Sequence, residues 1–292
     1  MEGDEARASG AAELVERLAG FVKAAGANAK EWRAAGALAR RLTGSAIEDL
    51  AGVRRAAAAL GKLALPEARL LGEALLAYAT HEEEERRFRR AREVVEALRA
   101  AGAEPRRVGE DPPVWEAPPL GITLDETRGK AVVSYAREPL AEAPLAAGRI
   151  AQLWREARDA LTKRARPPAE FREVLLGAYR AVLARAGRAP GERVDLVDLL
   201  PEIALVVQGD KFRSDPRKGS FSDYPRAQFA WDLAALVRAG LLSAGGLRLE
   251  IGPATMGTTA HKRRVLWLEA GAGGGQYCLS LRFVPDRPEE AP

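Results

Sequence analysis

Apolar residues recur every three to four positions through most of the chain, a spacing that predicts a mainly helical protein. Leu14, Val15, Leu18, Phe21 and Val22 give a first amphipathic helix ending near Gly26, and a weaker second one follows around Trp32, Leu38 and Leu42. Ser45 with Glu48 forms a capping-box pattern ahead of Ile47, Leu50 and Val53, so a third helix starts there and stops near Gly61. Pro66 opens a fourth, which runs through Leu70, Leu71, Leu75 and Tyr78 to Ala101. Its second half, "HEEEERRFRRAREVVEALRAAG", places Glu82, Glu83 and Glu85 four positions before Arg86, Arg87 and Arg89, as on a solvated helix surface. Phe88, stranded among the arginines, marks the alternative of a protruding helix that docks a partner.

Residues 102–120 are rich in Pro and Gly and hold neither periodicity, so a linker is expected over 103–120. The pattern then alternates: Ile122 and Leu124 on one strand, Val132, Val133 and Tyr135 on the next, with Gly129 in the turn. A helix around Ile150, Leu153, Trp154 and Leu161 completes a hairpin-plus-helix connector over 121–166. Pro167 and Pro168 open another helix with Phe171, Val174, Leu175, Ala178, Tyr179 and Val182 as its buried stripe, and a short one begins near Leu196. A basic loop, "GDKFRSDPRKGSFSDYPR", then runs into a helix with Phe229, Leu233, Leu236 and Val237 on one face, with Ser222 or Asp223 as its expected cap and Gly240 at its end. Three strand-like stretches follow, "LRLEIG", "VLWLEA" and "QYCLSLRFV".

That order resembles a winged-helix domain, with 168–186, about 194–208 and 224–239 as its three helices. The resemblance implies a recognition helix at 224–239 and a wing over 247–268. The fold class expected is thus mainly α with a C-terminal α+β module: a helical domain over 1–102 serving association with a partner or itself, the linker, the connector, and a winged-helix-like domain over 167–292. The outward face of the recognition helix would carry Ala227, Trp231, Ala234, Ala235 and Arg238, with Gln228 at its edge. Side chains able to read base edges are nearly absent there, and alanines suit close packing better than sequence readout.

Composition narrows the chemistry. The single cysteine, Cys278, and two histidines, His81 and His261, exclude an internal disulfide and a Cys/His zinc site. The absence of a long apolar run and the acidic, polar start predict a cytoplasmic protein without a membrane partner. A net charge of +4, from 45 basic and 41 acidic residues, is slight and evenly spread, so a polyanion site must be a local cluster. Two clusters qualify: Lys211, Arg213, Arg217, Lys218 and Arg226 in and after the basic loop, and Lys262, Arg263 and Arg264 at the expected wing tip, with Arg238 on the helix face. Cations beside Ser220 and Ser222 suit phosphate oxygens, so binding to nucleic acid, DNA ahead of RNA, should be dominated by the backbone. Lys211, Arg213, Arg217 and Lys218 with Lys262, Arg263 and Arg264 would make seven such contacts, a log–log salt slope of roughly −6.

Known catalytic patterns fit poorly. "GAGGGQ" lies between two strands and lacks the Lys-Ser/Thr ending of a phosphate loop. His261 and Arg264 match the H-x-x-R pair of tyrosine recombinases, but Tyr277 follows too closely, and neither histidine has a serine-hydrolase context. Asp210 with Lys211, and Asp195 with Asp198, offer a thin version of a metal nuclease site. No cofactor or resident metal is expected. Two alternatives to nucleic-acid binding therefore stand: a scaffold subunit of a bacterial assembly that uses Trp231 and Phe88 as protein contacts, and a metal-dependent nuclease.

Overall fold

A computed structural model describes residues 2–25, 30–43, 47–63, 66–110, 113–255, 257, 263–271 and 274–286. The chain folds as two compact units, Met1–Glu93 and Val94–Pro292, and the boundary falls inside a helix rather than in the proline-rich stretch after it.

The first unit is helical: α1 (Glu2–Ala25), α2 (Lys30–Arg40), α3 (Leu50–Leu60) and most of α4 (Pro66–Ala100). Leu14, Leu18, Ala35, Ala39, Val53, Leu60, Leu71 and Leu75 bury one stripe from each helix in a common core. A Cβ at Gly72 would lie 2.9 Å from the Ala57 carbonyl oxygen, so α3 and α4 meet there at a distance only glycine allows. The N-cap of α3 is Asp49 without a side-chain capping bond, and Ser45, the cap expected, lies outside the described residues. Glu83 does not use Arg87 one turn on as its main partner; it takes a bidentate pair from Arg54 of α3, at 2.6 and 2.8 Å.

The second unit opens with a correction. The expected linker carries two strands, β1 (Arg106–Glu110) and β2 (Pro113–Ala117), which continue through β3 (Leu120–Asp125), β4 (Lys130–Tyr135) and β5 (Glu138–Pro144) as an antiparallel meander in sequential order. Prolines permit this because of where they sit. Pro113 is the first residue of its strand and Pro118 and Pro119 fall in a turn, where no ladder N–H is required. β1 is an exposed edge with a bulge between Arg107 and Gly109, so it has no apolar alternation to read. The hairpin expected over Ile122–Tyr135 is present as β3 and β4, two strands of five rather than a separate connector.

Beyond the meander come α5 (Ala147–Arg164), α6 (Pro168–Ala186), β6 (Val194–Asp195), α7 (Leu196–Val206), α8 (Asp210–Ser214) and α9 (Arg226–Arg238). β7 (Ser243–Ala244), β8 (Leu247–Pro253), β9 (Leu266–Gly271) and β10 (Gly274–Pro285) follow. The second sheet runs β6-β10-β8-β7, with β9 on the first half of β10. β8 and β9 therefore do not form the expected hairpin with each other. Cys278 of β10 has Pro253 on one side and Leu266 on the other, so β8 and β9 lie along opposite edges of β10.

The second correction concerns α9. It packs against β9, α6, β5 and α5, and Ala227, Phe229, Ala230, Asp232, Leu233, Ala234 and Leu236 are all buried. Phe229 meets Phe171 edge-on with ring centres 6.3 Å apart, and Trp231 meets Tyr135 of β4 at 5.0 Å. The alanine face is the face that the meander and β9 cover, small side chains allowing close approach. Neither a solvent-facing recognition surface nor an exposed Trp231 exists on this helix. Its N-cap is Pro225, and neither Ser222 nor Asp223 caps it. No helix among the described residues is long and apolar enough to cross a membrane.

Candidate nucleic-acid interface

The basic loop is closed at its base by Gln208. That side chain is buried, 2% exposed. Its Oε1 accepts the Ser222 N–H at 2.8 Å, and its Nε2 donates to the Ser222 carbonyl at 2.9 Å and to the Ala204 carbonyl. One amide thus imitates a backbone bridge and ties loop 209–221 to the end of α7. Within the loop, α8 and a 3₁₀ turn, Lys218–Ser220, supply local order. Ser220 Oγ lies 2.8 Å from the Asp215 carbonyl oxygen, and the Phe212 and Phe221 rings meet edge-on at 5.5 Å.

A second anchor follows at once. Tyr224 donates its hydroxyl to Asp232 Oδ2 at 2.8 Å, and Asp232 Oδ1 accepts from Gln228 Nε2 at 3.1 Å and from the Arg166 N–H at 3.3 Å. Burial pushes the Asp232 carboxyl above its ordinary range, opposed by these donors. Tyr224 is driven up by its own burial and then by the neighbouring carboxylate. Two buried polar side chains therefore fix both ends of a loop whose cations Lys211, Arg213, Arg217 and Lys218 are all exposed. Arg213 reaches back to the Val206 carbonyl at 3.0 Å and Arg217 pairs with Asp215, which holds both guanidiniums at the loop surface.

The remaining expected residues scatter. Arg226 is turned inward: it pairs with Glu138 at 2.8 Å and donates to the Arg263 and Val265 carbonyls at 2.9 and 2.5 Å. That side chain clasps β5 and the start of β9 to α9. Arg264 is bonded to Asp195 at 2.6 Å. Arg263 is exposed and, with β8 and β9 on opposite edges of β10, does not sit at the tip of a hairpin; Lys262 lies outside the described residues. Arg238 is exposed in the last turn of α9, near Tyr135, whose pKa burial pushes up to about 12. Phe88 is 65% exposed on α4. Asp195 serves Arg264 rather than capping α7, and among the described residues no three His, Cys, Asp or Glu side chains converge as a cation site would need.

Two features escaped the sequence pattern. On β8 and β10, Glu250 is ringed by Arg248 at 2.8 Å, Arg282 at 2.7 Å and Arg193 at 3.7 Å, the hydrogen bond from Arg282 doing most to hold its carboxyl low. A Cβ at Gly252 would lie 2.5 Å from the Arg193 guanidinium, so glycine lets that side chain cross the sheet. The other is the β4–β5 turn, where Ala136 and Arg137 take φ of 50° and 63°. A two-residue turn of that kind normally carries Asn-Gly, so "AR" gave no signal.

No protein-family model matches the chain, and neither a curated protein nor a solved structure matches it.

Proposed function

We propose that this is a non-enzymatic, nucleic-acid-associated protein that grips the phosphate backbone with little base specificity, working in the cytoplasm as a subunit of a larger bacterial assembly. The observation that carries this reading is the closed cationic loop: four exposed basic side chains on a backbone pinned at Gln208 and at Asp232. Preorganised cations suit a phosphodiester chain, because backbone contacts need charge and donors without base recognition. The order α6, β6, α7, α9, β8, β10, with β10 between β6 and β8, supports a winged-helix-like module. With α9 covered, that module has no helix to lay in a groove. Contact then falls to the loop, which explains both the expected lack of specificity and the alanines of α9.

Double charge reversal, Lys211→Glu with Lys218→Glu, tests the reading by anisotropy with a labelled random-sequence duplex. The salt slope should become shallower by about two and affinity should fall at every sequence alike. Unchanged binding would remove the loop from the interface. A protein-binding scaffold is favoured by one observation, the exposure of Phe88. Trp231, packed on Tyr135, would not serve that role.

A further inference from the structure

Beside the Ala136–Arg137 turn lies a cleft of about 550 Å³ whose chemistry differs from that of the basic loop. Two successive residues other than glycine hold positive φ there, a backbone that bulkier side chains adopt only under constraint. The constraint comes from β9. The Arg137 guanidinium lies 3.6 Å from the centre of the Trp267 ring. Arg137 also donates to the Tyr277 hydroxyl at 3.2 Å. Arg137 is thus held against Trp267 while remaining exposed, and it lines the cleft.

The charge balance of the cleft is positive. Its carboxylate, Glu138, is matched by Arg226 at 2.8 Å, and Arg226 spends further donors on the Arg263 and Val265 carbonyls. Arg137 and Arg263 remain, both exposed. A stacked guanidinium plane is the surface on which an unpaired base lies, and a nearby cation suits its phosphate.

We propose that this cleft binds one unpaired nucleotide, its base stacked on Arg137 and its phosphate drawn to Arg263. The proposal rests on the nucleic-acid reading above and narrows it to single strands, frayed ends or free nucleotides. A volume of this size is ordinary for a small-molecule site, and a duplex interior offers no unstacked base to fill it.

Adenosine 5′-monophosphate titrated against intrinsic fluorescence is the test, because Trp267 reports on its own stacking partner. Saturable quenching is expected in the wild type and its loss in Trp267→Phe. Arg137→Lys keeps the charge and removes the plane, so it should weaken the nucleotide, and a labelled single strand, roughly 5- to 100-fold while leaving duplex affinity unchanged. Melting curves of each variant separate lost binding from lost folding. Nucleotide binding without strand binding would identify a free nucleotide as the occupant. The Lys211→Glu, Lys218→Glu protein should bind the duplex more weakly yet keep the quench, which separates failure of the loop from failure of the cleft. Quenching of equal size without Trp267, equal affinity in Arg137→Lys, or no quenching at millimolar nucleotide would overturn the proposal.

Discussion

Gln208 and Asp232 are the two residues on which the loop depends, and each makes a distinct prediction. Gln208→Ala would leave the Ser222 N–H without its acceptor and should lower stability by about 1–3 kcal/mol in urea unfolding, far more than an exposed Gln would. Asp232 has a raised pKa because burial outweighs its donors. Its contribution is therefore full below the unfolded-state carboxyl pKa, near 4, and is lost as pH rises through the higher folded value. Melting temperatures of the wild type and of Asp232→Asn, followed from pH 7 downward, should diverge in favour of the wild type as acid is added. Divergence in the opposite direction would mean that the donors outweigh burial. Neither residue is legible in the sequence, since a polar side chain does not declare there that a fold will bury it. Both roles become visible only where the ends of the loop are tied.

Elements with a long periodic stripe are legible in the sequence, and elements defined by their neighbours are not. α1, α2, α4, α5, α6, α7 and α9 fall where the 3.6-residue pattern puts them, while α3 begins at Leu50 rather than after Ser45. β1 and β2 do not, because an edge strand and a proline-started strand carry no alternation. β5, against which α9 packs, is not marked in the pattern either, and that accounts for the difference at α9. Without the full meander, the alanine face has nothing to pack against and reads as solvent-facing. The packing makes a direct prediction: Ala234, fully buried, should tolerate enlargement poorly, Ala234→Leu costing roughly 1–3 kcal/mol by overpacking. A near-neutral effect in chemical denaturation would instead put that face in solvent.

Across the molecule, net charge says little and placement says more. The cations grouped from sequence separate in the fold into three kinds. Arg226 and Arg264 are committed to ion pairs with Glu138 and Asp195. Arg238 and Arg263 stand near aromatic surfaces on and beside α9. Lys211, Arg213, Arg217 and Lys218 share one anchored loop, all exposed, with Arg217 in a surface pair with Asp215. Sequence could group them only by proximity along the chain, which overcounts the contacts available to a phosphate backbone. Four loop contacts in place of seven reduce the expected log–log salt slope from roughly −6 to roughly −4.

The salt slope of duplex binding is therefore the measurement that tests the central claim most directly. Anisotropy of a labelled random-sequence duplex between roughly 50 and 200 mM salt should show a loss of affinity near a hundredfold, as four phosphate contacts require. A flat response, or no binding at the lower salt, would contradict a phosphate-binding role for the loop and leave its cations as solvated surface.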